Sequence, residues 1–388
     1  MSTFVHPSLR GNEMNATSIE RRHSGGPPRD SRVDFARGAA LLIIFSDHIP
    51  GNIVAGFTPQ ALGFSDMAEV FVFLSGYVCG MSYSRRLREQ GFQSCQLRAF
   101  WRAAQLYVAK LVATVAVLSI CVAADRWIGV SLFGDPWTID DVKRAPLETF
   151  LRLALSRIEI HQFSILALYV LFLVTLPCFL LALRHWPLCA ILASVLLYTV
   201  VQVFPHSFAL PQPWGSAIWF NPLAWQSLFF SAAALGAVAP ATRARLRPNW
   251  QAVVLAGAIL ELAFLARFVG PDQSAVWNEK LNLHWLRLLH FAAILVISWR
   301  IMPASSILAG SSLCHPLIVC GSRALTAYCV AGVLATLGAL VFRLLGYGWN
   351  IQIAVNTAGW GACIATAMLS RAVAYRSKCT RAGLSCNG

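Results

Sequence analysis

Apolar stretches of about twenty residues follow one another along most of this chain, separated by short basic connections. A helix of that length crosses the hydrocarbon core of a bilayer, and it satisfies its backbone hydrogen bonds internally. Charged residues make up only 12% of the sequence, about half the share that is usual in soluble domains. The chain is therefore predicted to be an all-α integral membrane protein.

The hydropathy pattern predicts about ten membrane-spanning helices in a single domain over residues 34–375. Residues 1–33 are polar and rich in Arg, Ser, Gly and Pro, which is typical of a disordered tail, and residues 376–388 form a second, basic tail. The predicted spans are Asp34–Ile53, Phe64–Tyr83, Ala104–Ala124, Phe163–Leu183, Trp186–Phe204, Leu223–Val238, Trp250–Phe268, His284–Ile301, Ala324–Phe342 and Ile351–Ala372.

The distribution of basic residues predicts the orientation of these spans. Lys and Arg concentrate in every second connection, which places both termini in the cytoplasm under the positive-inside rule. The net charge of +14 therefore indicates topology signals and contact with anionic lipid headgroups, not nucleic-acid binding. After the third span, the sequence DDVKRAPLETFLRLALSRIEI has apolar positions that favour an amphipathic helix lying at the membrane surface.

The cysteines suggest neither disulfides nor a metal. Most of the eleven lie inside apolar runs, and none forms a CxxC pair or a His/Cys ligand spacing. They are interpreted as small buried apolar residues. No metal site and no permanently bound cofactor is predicted.

The segment from Asp34 to Tyr77 brings several ionisable residues into or beside the membrane. Such residues are costly in hydrocarbon and are functional candidates by default. Arg37 and His48 are eleven residues apart, which places both on one face of a helix, about 16 Å apart along its axis. An imidazole titrates near neutral pH and so suits a general base, and Glu69 in the second span is the predicted partner of His48.

Structural roles are the alternatives for these residues. His48 also fits a polar residue that bridges two helices. Arg37 fits either an anchor that reaches the headgroups or a cation that binds a phosphate or carboxylate from the cytoplasm. Asp34, three residues before Arg37, either pairs with it or shares its binding role.

An uncharged loop, PHSFALPQPWGSAIWFNP, precedes the predicted sixth span. At its end, Trp219, Asn221, Trp225 and Gln226 provide rings and amides that suit stacking on, and hydrogen bonding to, a sugar. Anchoring in the aromatic belt of the membrane interface explains the same residues about equally well.

Four motifs in order resemble those of the OpgC family of bacterial inner-membrane proteins. They are DFARGAALLIIFSDHIP, GFSDMAEVFVFLSGY, LALYVLFLVTLP and WFNPLAWQSLFF, and the resemblance covers nearly the whole membrane region from near Arg32. Arg37 followed by ten residues and His48, together with FVFLSGY, is also similar to the wider membrane acyltransferase superfamily. The resemblance implies an acyltransferase-like bundle of ten helices that takes acyl-CoA from the cytoplasm and succinylates a periplasmic glucan.

The resemblance also implies roles for individual residues. Arg37, with Asp34, would bind acyl-CoA, expected to be succinyl-CoA. His48 would either act as base on a sugar hydroxyl or carry the acyl group transiently, with Glu69 orienting the imidazole. Asp66 would contact the acceptor near the outer surface. Possible partners are the enzymes that synthesise the glucan.

Two other functions stay open at this point. Intramembrane Arg, His and Glu also serve proton-coupled transport, so the chain could carry a small anionic or acylated molecule across the membrane. It could also be a non-catalytic assembly partner of a glucan synthase.

Overall fold

A computed structural model of the chain describes residues 30–132, 136–157, 160–205, 220–269 and 279–381. These residues form helices, and no β-strand occurs among them, which confirms the predicted all-α class. The α-helices are α1 Ser31–Asp47, α2 Pro59–Leu62, α3 Met67–Ala123, α4 Pro136–Arg144, α5 Pro146–Ala154, α6 Ser164–His185, α7 Pro187–Val203, α8 Pro222–Ala237, α9 Pro240–Arg245, α10 Trp250–Val269, α11 Trp285–Ile301, α12 Ser305–Gly310, α13 His315–Ser322, α14 Ala324–Leu345 and α15 Trp349–Arg381. Short 3-10 helices lie at Ile53–Phe57 and His161–Phe163, and a π-helical turn lies at Ala124–Ile128.

Five helices are long and apolar enough to cross a membrane, judged by length and composition. They cover Met67–Ile128, Ser164–His185, Trp250–Phe268, Ala324–Leu345 and Trp349–Ser377. Helices α1, α8 and α11 have 16 or 17 residues, so each is about 25 Å long, somewhat less than a hydrocarbon core. The count of ten spans stays a prediction.

Helix α3 contains a corner that the sequence analysis did not predict. Its two arms meet at Gly91, whose φ of 80° lies in the left-handed region that favours glycine. The basic stretch between Arg85 and Arg102, predicted as a connection between two spans, is helical on both sides of that glycine. The predicted second and third spans lie on the two arms.

The helix ends also differ from the predicted boundaries. Helix α1 begins at Ser31, where the Asp30 carboxylate caps it by accepting from the Arg32 N–H at 3.1 Å. Helix α15 continues to Arg381, beyond the predicted end of the domain at residue 375. The predicted amphipathic helix is two helices, because the second one restarts at Pro146, which suits a first helical position.

Glycines let the bundle helices approach closely at two crossings. A β-carbon on Gly38 of α1 would overlap the backbone of α13, and one on Gly321 of α13 would overlap the carbonyl of Asp34. At the other crossing, a β-carbon on Gly80 of α3 would overlap the backbone of Ala233 in α8. Small residues at such contacts are how membrane helices pack without a hydrophobic driving force between them.

The core and the periphery of the bundle differ in their apolar faces. Helices α1, α3, α6, α8 and α14 share a core that includes Phe45, Leu173 and Phe342. Helices α7 and α10 instead leave apolar side chains such as Leu196 and Val254 more than half exposed. Exposed apolar helix faces of this kind suit contact with lipid.

Candidate active site

Asp66 and Glu69 form a capping box that fixes the first turn of α3. Asp66 Oδ1 accepts from the Ala68 N–H at 2.7 Å, and Glu69 Oε2 accepts from the Asp66 N–H at 2.9 Å. This reciprocal capping box satisfies two of the donors that a helix N-terminus leaves open. The D-x-x-E spacing in the sequence therefore determines where α3 begins.

Two basic residues at the start of α11 neutralise this acidic pair. Arg287 donates to Glu69 Oε1 from Nε at 2.7 Å and from Nη2 at 2.6 Å, and its Nη2 lies 3.2 Å from Asp66 Oδ2. Lys280 Nζ, just before the helix, lies 2.7 Å from the same Asp66 oxygen. Glu69 and Arg287 are 0% and 3% exposed, so each charge depends on the other for compensation. We call these four residues the charged cluster.

His290 attaches the loop before α3 to α11. Its Nδ1 accepts from the Ser65 N–H at 3.3 Å and lies 2.7 Å from Ser65 Oγ. Because a backbone N–H only donates, Nδ1 is the unprotonated nitrogen of this ring. A β-carbon on Gly63 would overlap the other ring nitrogen. Helix α11 therefore holds both the loop and the first turn of α3.

His48 lies at the C-terminal end of α1, where its own helix sets the orientation of the ring. Its Nδ1 is 2.7 Å from the carbonyl oxygen of Ile44. Because a carbonyl only accepts, Nδ1 carries the proton and Nε2 holds the lone pair. The side chain is partly exposed, and Asp66 and Lys280 of the charged cluster are close enough to act on it electrostatically. Nε2 is thus the nitrogen that can take up a proton.

The structure gives Glu69 a different partner from the predicted one. Arg287 and the Asp66 N–H occupy its two carboxylate oxygens, and the carbonyl of Ile44 orients the imidazole of His48 instead. The reason is the capping box, which turns the Glu69 side chain back towards the start of its own helix.

Arg37 lies three turns before His48 on α1 and faces α3. Its guanidinium carbon is 5.8 Å from the centroid of the Phe71 ring. Its Nε is buried with no acceptor in the part of the chain that the structure describes. Asp34 is itself buried and has contacts of its own.

Ser75 lies one helical turn after Phe71 and so shares the face of α3 that meets Arg37. Its hydroxyl is also buried with no partner among the described residues. Buried polar groups in proteins are nearly always paired. Two buried polar groups beside the α1–α3 contact therefore lack partners within the described chain.

Asn221 and Gln226, predicted to bind sugar, are buried and already bonded within the protein. Asn221 caps α8 and donates from Nδ2 to Asn282 Oδ1 at 2.8 Å. Gln226 Oε1 accepts from Ser194 Oγ at 2.7 Å, and its Nε2 donates to the Ser194 carbonyl at 2.9 Å. These amides fix α8 to its neighbours instead of forming a sugar platform. Trp219 lies outside the described residues.

Three residues at this site were missed by sequence reasoning: Lys280, Arg287 and His290. Arg287 is 218 positions from the Glu69 that it binds, so no local pattern links them. A signal was present, because an arginine in an apolar helix needs a buried counter-charge. The sequence does not say which carboxylate supplies it.

Comparison with known proteins identifies the family. The family described as "OpgC protein" matches residues 29–374, from the start of α1 to most of α15. No curated protein sequence and no solved structure matches the chain. Because the family match covers nearly the whole chain, this protein belongs to the OpgC family.

Proposed function

We propose that the protein is a multi-pass O-acyltransferase of the bacterial inner membrane, with ten spans and both termini in the cytoplasm. It moves an acyl group, which we expect to be succinyl, from cytoplasmic acyl-CoA to hydroxyl groups of a periplasmic glucan. Family membership supports acyl transfer to a glucan. The concentration of Lys and Arg in alternate connections supports the orientation.

The observation that carries the proposal is the hydrogen bond from His48 Nδ1 to the Ile44 carbonyl, at 2.7 Å. It fixes one tautomer, in which Nε2 is the nitrogen with the basic lone pair. A histidine held in this way is suited to general-base catalysis, a role that typically contributes a factor of about 10²–10⁴ in rate.

In the proposed reaction, Nε2 takes the proton of a glucan hydroxyl while the hydroxyl oxygen attacks the thioester carbonyl carbon. The carbon–sulfur bond then breaks, and the proton on His48 passes to the departing CoA sulfur. The products are a glucan ester and CoA with a free thiol. In the second route, Nε2 attacks the thioester itself and CoA leaves before the glucan reacts, which would give ping-pong kinetics.

Arg37 is the proposed contact for the donor. Its Nε has no acceptor among the described residues, and a guanidinium binds carbonyl and phosphate oxygens well. We propose that Asp34, buried one turn before Arg37, shares in donor binding. On the other side of His48, we propose that Asp66 and Lys280 border the acceptor.

Transfer between purified components tests this proposal. The protein in detergent is given acyl-CoA and glucan, and the esters are counted by mass spectrometry. We expect His48→Ala to lower the rate roughly 10²–10⁴-fold, whereas the matched control His185→Ala, at an exposed histidine, leaves it unchanged. Glucan acylation by His48→Ala at the wild-type rate would overturn the proposal. Proton-linked flux of a small anion without acyl-CoA would favour the transporter instead.

A further inference from the structure

The end of α1 is bonded to α15 by a set of buried polar side chains. Asn52 and Asn356 donate to each other's carbonyl oxygens, from Asn52 Nδ2 at 3.0 Å and from Asn356 Nδ2 at 2.9 Å. Ser46 Oγ donates to the same Asn356 oxygen at 2.7 Å. Gln352, one turn before Asn356, accepts from the Ile53 N–H at 2.6 Å. We call Ser46, Asn52, Gln352 and Asn356 the amide network.

Every member of the amide network is buried and engaged. Ser46 is 0% exposed, Asn356 2%, Gln352 3% and Asn52 6%. Gln352 also donates to the Tyr347 carbonyl at 2.8 Å. A satisfied polar network of this kind fixes one geometry, because any other arrangement leaves a buried donor or acceptor unpaired.

Two members of the amide network flank His48 in the sequence. Ser46 lies two residues before the histidine and Asn52 four after it, and Asn52 also donates to the Ser46 carbonyl at 2.9 Å. Between them, Gly51 has a φ of 76°, and the ring of Tyr347 occupies the place of a side chain there. The turn that carries His48 therefore has little freedom to move.

The hydrogen bond to Ile44 and the amide network therefore control different aspects of where His48 lies. The bond from His48 to the Ile44 carbonyl orients the ring only relative to α1. The amide network places the end of α1 relative to α15 and the rest of the bundle. Catalysis needs both, because a misplacement of about 1 Å can cost about 10²-fold in rate.

We infer that Asn356 and Asn52 are positioning residues that hold His48 where it meets the reacting groups. The inference rests on the proposed function, since it assumes that His48 is the base. Both amides are buried and bonded to each other within the protein. Both act through the backbone around His48.

Steady-state kinetics of Asn356→Ala test the inference. We expect kcat per folded molecule to fall roughly 10–100-fold, while KM for acyl-CoA changes less than about twofold. The control is Thr357→Ala, on the exposed side of α15, where the hydroxyl bonds only within its own helix. Ser46→Ala removes a single hydroxyl from the network, and it replaces Asn356→Ala if that variant does not insert.

Double variants separate positioning from simple stabilisation. Asn52→Ala combined with Asn356→Ala should lower kcat no further than either alone, because both break the same amide pair. In a His48→Ala background, Asn356→Ala should lower kcat no further. Additive losses, or a kcat per folded molecule equal to wild type, would overturn the inference. If wild type and His48→Ala transfer equally, the proposed function itself has failed.

Discussion

The two ends of α1 differ in how completely their buried polar groups are satisfied. Around His48, the amide network and the charged cluster pair side chains from α3, α11 and α15. Around Arg37, the Arg37 Nε and the Ser75 hydroxyl lack partners among the described residues. Saturated bonding fixes a geometry, whereas unpaired donors suit a ligand that brings its own acceptors. We interpret the His48 end as the place of chemistry and the Arg37 region as the place of donor binding.

The largest expected effect on folding is that of Arg287→Leu. Without the guanidinium, the fully buried Glu69 loses its counter-charge, which typically costs about 3–5 kcal/mol. Thermal unfolding in detergent measures the loss. Arg343→Leu, at an exposed arginine, is the control and should change stability by less than about 0.5 kcal/mol.

A second substitution sharpens that result. Replacing Glu69 together with Arg287 by leucine removes both buried charges, so the double variant should be more stable than Arg287→Leu alone. Equal stability of the two variants would mean that Glu69 does not depend on Arg287 for charge compensation.

Arg37→Leu should act on donor binding and not on folding. Hydrogen bonds to a charged group are worth about 1.5–3 kcal/mol, so the Kd for acyl-CoA should rise roughly 10–100-fold. Arg37→Lys should recover part of the affinity, since it restores the charge but not the planar fork. Isothermal titration with a non-transferable CoA analogue checks this, and unchanged affinity would remove the distinction between the two ends of α1.

Gln226→Ala should behave as a structural change. It leaves the partly buried Ser194 hydroxyl without its acceptor, and the loss of such a hydrogen bond typically costs about 0.5–1.5 kcal/mol. The KM for glucan should stay within about twofold of wild type. A large rise in that KM with unchanged stability would restore the predicted sugar contact.

Lys280→Gln should have the smallest effect. The Lys280 side chain is 34% exposed, so its ion pair with Asp66 resembles a surface pair worth no more than about 1 kcal/mol. Arg287 still contacts Asp66 after the change. Thermal unfolding at low and high salt measures the difference, and a loss as large as that of Arg287→Leu would contradict the ranking.

Local patterns in the sequence predicted local features of the structure. The apolar runs predicted the helical class, and the eleven-residue spacing predicted that Arg37 and His48 share one face of a helix. In the structure Arg37 packs against Phe71 of α3. The ion-pair partner of Glu69 was harder to predict, because any cation close to it in the fold would serve. Arg287 is 218 positions away, and no local pattern shows that the two meet. The corner at Gly91 was missed for a related reason, since a glycine in a basic stretch also fits a loop.

The central claim is that one imidazole catalyses the transfer of an acyl group from a donor on one side of the membrane to an acceptor on the other. Vesicles that contain the protein, with glucan sealed inside and acyl-CoA added only outside, test it directly. We predict acylated glucan inside vesicles with the wild-type protein and a rate roughly 10²–10⁴-fold lower with His48→Ala. Acylation only when both substrates share one compartment would contradict the account.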